Sequence, residues 1–271
     1  MIRENTFSAT VGTALRTHHY SQTSSVVTWL TPDRGKVSTI VKGSFRPKSE
    51  FLGQHDLFYT CDLIYYNKDR NGLHVAKEFS PIKLRDGIRS SWRSAVLASY
   101  IACLICDTTQ HDPHSGELFR LADTILDFVN EHDASMKILC WFELQFLGTL
   151  GVAPHLTNCS RCSEQFAPNK PVSFSVADGG LRCPKCAPAH HSGGRAPTPS
   201  TVLPDALAVL RNWQSGQSPR LAHNTKFSNV QIGEISALLK SFLDFHADFQ
   251  HDAREIAVKL LNTTKKQRNK Q

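Results

Sequence analysis

From Ser8 to Ile82 apolar and polar residues alternate with a period near two, in short runs rich in Thr, Val and Ser. Turn residues divide the runs into five predicted strands: Thr10 to Thr17, Val26 to Thr31, Lys36 to Lys42, Leu57 to Tyr66 and Leu73 to Glu78. Pro32-Asp33-Arg34-Gly35 and the stretch from Asn67 to Gly72 have the composition of hairpin loops. Five short strands joined in this way predict a small closed barrel over residues 1–82, with the five-stranded oligonucleotide-binding (OB) fold as its leading candidate.

At Leu84 the period lengthens to that of a helix. Ile88, Trp92, Ala95, Val96, Ser99, Tyr100, Cys103 and Leu104 recur at three- and four-residue steps and predict one long helix. A second follows from Glu117 to His132. A third, Ala134 to Leu150, is apolar on nearly every side and belongs at the centre of a bundle. Glu143 inside it is expected to be a partnered structural acid or to mark a partly exposed face. Helical spacing returns at Pro204 to Trp213, at Val230 to Phe249 and at Ala253 to Leu261. The predicted fold class is therefore multidomain α+β, an OB-fold β-barrel over 1–82 followed by a helical domain made of 83–157 and 203–264. A smaller module at 158–187 is inserted into the helical part, 188–202 has the Pro, Gly, Ser and His content of a flexible loop, and 265–271 forms a basic tail.

The inserted module carries the strongest local signal. Cys159-Ser-Arg-Cys162 and Cys183-Pro-Lys-Cys186 are two Cys-x-x-Cys turns, each able to present a pair of thiolates to one metal ion. Together they complete the four-sulfur tetrahedral shell that Zn²⁺ accepts, and such a shell leaves no open position for water or substrate. One structural Zn²⁺ is expected, with Arg161 and Lys185 offsetting its negative charge. Val172, Phe174 and Val176 alternate ahead of Asp178-Gly179-Gly180, predicting a short hairpin between the two turns. His190 and His191 are expected to be solvated, because four thiolates already fill the shell. Cys103-Leu-Ile-Cys106 has the spacing of a redox pair but falls at a helix C-terminus, where the dipole disfavours thiolates. Cys103 and Cys106 are read as packing residues, as are Cys61 and Cys140.

Composition narrows the function classes. The chain has 271 residues, 40% hydrophobic and 20% charged, and its longest nearly continuous apolar run, Ala95 to Cys106, is too short to span a bilayer. With no apolar signal core at the N-terminus, a cytoplasmic protein is expected. Residues 1–80 hold ten Lys/Arg against seven Asp/Glu, 81–150 six against nine, and 151–271 fifteen against eight. An acidic middle between basic ends favours a polyanionic partner for the ends. In the barrel, Arg34, Lys36, Lys42, Arg46 and Lys48 face one carboxylate, Asp33, and Lys36 and Lys42 share a strand face by parity. Phe45 in the same stretch is assigned to the barrel core, with base stacking as its alternative. Nothing in the stretch reads base edges, so any DNA contact should be electrostatic and largely independent of sequence. A zinc deaminase is excluded, since the chain has no His-x-Glu element and Arg182 rather than proline precedes Cys183.

The order of these parts resembles the bacterial RecO family of recombination mediators. The resemblance rests on Leu30-Thr31-Pro32-Asp33-Arg34-Gly35-Lys36, on Val41 to Ser49, and on Phe142-Glu143-Leu144 through Leu150-Gly151-Val152-Ala153-Pro154-His155-Leu156 into Cys159 and Cys162, with Arg254-Glu255-Ile256 closing the chain. It implies a non-enzymatic protein that binds single- and double-stranded DNA and anneals complementary strands. It also implies work with RecR, sometimes with RecF, to load RecA on DNA coated with single-strand-binding protein, at the nucleoid. Carried over by position, Arg34, Lys36, Lys42, Arg46 and Lys48 become the DNA-contact candidates, and Cys159, Cys162, Cys183 and Cys186 the zinc ligands. The contrasting reading is a zinc-containing protein adaptor whose basic charge is incidental.

Overall fold

The computed structural model describes residues 7–68, 72–109, 116–166, 170–187, 200–247, 249 and 252–263. Two compact units divide the chain, one of Met1–Asp133 with Ala253–Leu260, the other of Ala134–Asp252 with Leu261–Gln271.

The first unit is built on five strands, β1 (Phe7–His19), β2 (Ser25–Thr31), β3 (Gly35–Val41), β4 (Thr60–Tyr66) and β5 (Leu73–Lys83). They close in the order β1-β2-β3-β5-β4, which is the OB-like arrangement. β1 serves both ends of the sheet: Phe7 to Thr13 pair with β4, and Thr13 to His19 pair with β2. A register shift between Ala14 and Arg16 bends the strand where it changes partner. β3 and β5 pair in parallel through Ser38, Thr39 and Ile40, and this one parallel contact closes the barrel.

Period-two alternation puts Val37, Thr39 and Val41 inside, and Trp29 fills the barrel with no exposed surface. Its indole Nε1–H donates to Thr39 Oγ1 at 2.9 Å, so the ring is buried without stranding its polar atom. Gly12 makes room for the ring, since a Cβ there would lie 3.1 Å from Trp29 Cβ. β1 and β5 are longer than predicted because the start of β1, from Phe7, and the end of β5, to Lys83, pair with β4, while His18 and His19 extend β1 along β2.

The predicted long helix is two helices, α1 (Asp86–Ser90) and α2 (Trp92–Thr108). Ser91 between them is extended, with φ −120°, and its hydroxyl accepts from the Ser94 N–H as an N-cap. α3 (Gly116–Glu131) packs against α1, α2 and β2. These helices cluster with the barrel in the first unit; the sequence reading grouped them with 203–264 in the helical domain.

The second unit is organised by α4 (Met136–Thr149), where ten of the fourteen residues are buried, including Trp141, Phe142, Phe146 and Glu143. It packs on α5 (Pro204–Ser215), α6 (Pro219–Asn224) and α7 (Asn229–His246). Ser228 and Gln231 form a reciprocal capping box at the start of α7. A three-stranded sheet of β6 (Val172–Ser175), β7 (Gly180–Arg182) and β8 (Ser200–Val202) accompanies them, in the order β7-β6-β8. The hairpin was expected, but β8 was not: residues 200–202 were assigned to a loop, and instead pair with β6. α8 (Asp252–Asn262), most of which belongs to the first unit, is the last described element, and His190, His191, residues 188–199 and the tail from 265 lie outside the described residues.

Candidate metal centre and nucleic-acid interface

The four predicted ligands come together. One sulfur from each of Cys159, Cys162, Cys183 and Cys186 lies within 4.8 Å of all the others, and Cys162 and Cys183 Sγ are 3.6 Å apart. Four Zn–S bonds of about 2.3 Å would place tetrahedral neighbours about 3.8 Å apart, so this donor set fits a four-coordinate ion. No described acidic or histidine side chain joins the group.

The first knuckle is closed by Ser163 N–H donating to Cys159 O at 2.9 Å, the second by Cys186 and Ala187 N–H donating to Cys183 O at 3.0 and 2.8 Å. Ser163 sits at φ +61°, the left-handed turn that lets the chain leave the first knuckle. The two knuckles are tied together by Ser160 N–H to Leu181 O at 2.8 Å and by Cys183 N–H to Cys159 Sγ at 3.4 Å. Burial pushes the Cys159 thiol up, but N–H groups of Cys183, Arg161 and Cys162 aimed at its sulfur outweigh that and hold it down to about 6. Crowding by its neighbours, Cys162 first, drives the Cys186 thiol up to about 12. Four such thiols cannot all ionise side by side unless a cation neutralises them.

Arg182 is the residue that sequence reading undervalued here. Its side chain is 4% exposed, with Nε donating to Cys186 O at 3.0 Å and Nη1 bonded to Asp178 at 2.7 Å. It clamps the second knuckle to the β6–β7 turn and puts a buried positive charge one residue before Cys183. Lys185, expected to offset the same charge, lies at the surface and bonds Glu164 at 3.2 Å. The centre is anchored to the helices through Phe174, whose ring packs on Phe242 of α7, and through Val176 O, 2.8 Å from His246 Nε2.

The five basic candidates fall into two groups. β3 separates them: Arg34 and Lys36 stand at its first end, and Lys42, Arg46 and Lys48 just past its last, roughly 20 Å along an extended chain. Lys36 is half-buried rather than open to solvent, and its ammonium donates to Cys106 O in the last turn of α2. Burial lowers its pKa, while Cys106 and Asp107 act the other way. A cation on the free carbonyls of a helix C-terminus is a structural contact, so on the outer face that strand parity gives it Lys36 lies against α2 rather than open to solvent. Beside it Arg16 pairs with Asp107 at 2.9 Å, and burial and the Asp107 carboxylate raise the Cys103 thiol to about 11. Arg34 is exposed and sits 3.5 Å from Asp33, a surface pair that holds it weakly.

At the other end Lys42, Arg46 and Lys48 are all exposed, and no described acidic side chain pairs with any of them. Gly43, at φ +71°, turns the chain out of β3, and Arg46 N–H donates back to Gly43 O at 3.0 Å. Phe45 is not in the core: it is 40% exposed and stacks on His19 with centroids 4.4 Å apart. The barrel core holds Trp29 and Phe79 instead, with Phe51 packed against Phe79. Arg85, which the sequence did not single out, joins barrel to helices by donating to Phe58 O, Thr60 Oγ1 and the carboxylates of Asp123 and Asp127.

Comparison with known proteins adds identity to this geometry. The family model for the recombination protein O N-terminal domain matches residues 7–85, and that for its C-terminal domain matches residues 89–255. The DNA repair protein RecO of Anaeromyxobacter sp. (strain Fw109-5) is 31% identical over 239 residues, covering 87% of this chain and 89% of that protein. RecO of Rhodopirellula baltica is 32% identical over 219 residues, 78% of this chain and 76% of that protein, and RecO of Syntrophus aciditrophicus 28% over 236, 86% and 88%. Both halves of the chain are matched, over almost all of the described residues, and the chain belongs to the RecO family of DNA repair proteins.

Proposed function

We propose that the protein binds single- and double-stranded DNA through its barrel and anneals complementary strands. In the same reading it works with RecR, and in some settings RecF, to help load RecA on DNA covered by single-strand-binding protein. The observation that carries the proposal is the exposed set Lys42, Arg46 and Lys48 at one end of an OB-like barrel, free of acidic partners among the described residues, in a chain of this family. Annealing makes and breaks no covalent bond and needs no general acid or base. Two strands must be held close despite their phosphate repulsion, and each neutralised phosphate releases condensed counterions. Lys42, Arg46 and Lys48 are the leading phosphate contacts, Arg34 is a secondary one at the far end of β3, and Lys36 serves the barrel–α2 contact.

Cys159, Cys162, Cys183 and Cys186 would hold one structural Zn²⁺, which supplies a crosslink and no reactive position. A cytoplasmic, nucleoid-associated protein follows from the same function; among the described residues no helix is long and apolar enough to cross a membrane. The test is the rate at which the purified protein anneals complementary oligonucleotides, naked and then coated with single-strand-binding protein. Acceleration in both conditions is expected. Acceleration on naked DNA alone refutes the mediator role, and no binding or acceleration in either refutes the DNA reading and favours a protein adaptor.

A further inference from the structure

Two loops at the Lys42 end of the barrel are bonded into one surface. The β1–β2 loop is a tight turn, with Tyr20 and Ser21 N–H both donating to Ser24 O at 2.9 and 3.2 Å. The segment after β3 is tied to it three times. Gly43 N–H donates to Ser24 Oγ at 3.2 Å, the Ser25 and Ser44 hydroxyls meet at 3.0 Å in a buried contact, and Phe45 N–H donates to Thr23 O at 3.1 Å. These bonds fix the backbone of Phe45 although its ring is 40% exposed. The ring lies nearly parallel to His19, 20° between planes, and Tyr20 next to His19 is 59% exposed.

The Phe45 and Tyr20 rings do not belong to the buried barrel core. They are flanked by Lys42, Arg46 and Lys48, and between residues 42 and 55 the only carboxylate is Glu50. A rigid, exposed aromatic surface bordered by cations matches a polymer that offers flat apolar faces on an anionic backbone. In a duplex those faces are already stacked on one another, whereas in a single strand they are free.

Resting on the reading of the barrel as a DNA-binding surface, the geometry points to a base-stacking platform for unpaired DNA, made by Phe45 on His19 and extended by the exposed Tyr20 next in the chain, with Lys42, Arg46 and Lys48 taking the adjoining phosphates. The cations hold single and double strands alike. The rings hold only the single strand. A strand held in this way keeps its phosphates neutralised and its bases ordered while a complement approaches, which is the state annealing starts from.

The test uses the full-length protein and fluorescence anisotropy with three probes: a dT oligonucleotide, an oligonucleotide of the same length with abasic sugars, and a duplex. The unaltered protein should bind the dT strand roughly tenfold more tightly than the abasic one. Phe45→Leu should abolish that preference, Phe45→Trp should retain it, and Tyr20→Leu should reduce it. Duplex affinity and the slope of affinity against salt should stay unchanged in all three, because no charge is altered. Thermal unfolding checks that each variant folds, which the surface position of both rings favours. Equal affinity of the unaltered protein for dT and abasic strands overturns the platform while leaving phosphate binding intact. So does a Phe45→Leu variant that weakens duplex and single strand equally. Failure of the unaltered protein to bind any of the probes removes the DNA-binding reading itself, and the platform with it.

Discussion

Replacing Arg85 by Met should destabilise the barrel unit more than any other single change to a charged residue. The side chain is 2% exposed, and it holds Phe58 O at 2.7 Å, Thr60 Oγ1 at 2.8 Å, Asp127 at 2.7 Å and Asp123. It therefore joins the start of β4 to α3 at the point where the chain leaves the sheet. Arg85 is itself left-handed at φ 52°, ψ 45°, and so is its acceptor Phe58 at φ 71°, a backbone arrangement that non-glycine residues adopt only when their surroundings hold them there. Met fills a similar volume but donates to none of these four acceptors; the carboxylates keep Lys83, the Thr60 hydroxyl keeps Thr13 Oγ1, and Phe58 O loses the guanidinium.

Removing one member of a buried ion pair costs about 3–5 kcal/mol. Lys83, whose Nζ lies 2.7 Å from each of Asp123 and Asp127, remains to neutralise the acids, so the lower end of that range is expected here. About 3 kcal/mol in a unit of this size corresponds to a fall in melting temperature of roughly 6–12 °C. Urea unfolding of both proteins at pH 7 reads the difference as a shift in midpoint at constant slope. A further variant carrying Asp123→Asn and Asp127→Asn together with Arg85→Met should recover part of the loss. A change below about 1 kcal/mol for Arg85→Met, or no recovery in the combined variant, would show that the guanidinium does not tie barrel to helix.

Other expectations follow from the same contacts. The purified protein should carry one zinc per chain by elemental analysis, and Cys183→Ser should lose it and unfold the second unit at lower temperature. Gly180→Ala would place a Cβ 2.4 Å from His155 O, so the β6–β7 hairpin must shift; a cost of about 1–3 kcal/mol and weaker zinc retention against a chelator are expected. Lys36→Met should leave DNA affinity within about twofold and lower stability by about 0.3–1 kcal/mol, the worth of a cation at a helix C-terminus, read by titration and by urea unfolding. Burial lowers the pKa of His55, partly opposed by its contact with Phe51 O. The unfolded chain therefore takes up this proton first, and stability should be fully present above pH ~6.5 and fall as pH drops from there towards the folded value. His55→Gln should flatten that part of the stability profile, and an unchanged profile would exclude His55 as its source.

The barrel was legible because alternation of apolar and polar residues is what a closed sheet requires of each strand, and Val37, Thr39 and Val41 show it directly. The cysteine cluster was legible because metal geometry restricts ligand spacing within each turn. The charged surface was not, because parity tells which face of β3 a lysine is on but not what covers that face. Lys36 is on the outer face as expected, and α2 ends against it. Phe45 was misassigned for a related reason: hydrophobicity favours burial, but after Gly43 the chain has left the alternation that would turn the ring inward. The one-long-helix reading overlooked Ser91, whose hydroxyl cap on Ser94 N–H starts a new helix without interrupting the apolar period. Arg85 offered no local signal at all, since its partners lie 25 to 42 residues away in the chain.

If DNA is held at the Lys42 end of the barrel, the salt dependence of single-strand affinity must change in the variant Lys42→Ala, Arg46→Ala, Lys48→Ala. Each lost phosphate contact should reduce the slope of log affinity against log salt by about 0.7, so the three together should flatten it by about 2 and weaken binding at low salt for every sequence tried. A slope and affinity equal to those of the unaltered protein would contradict the account.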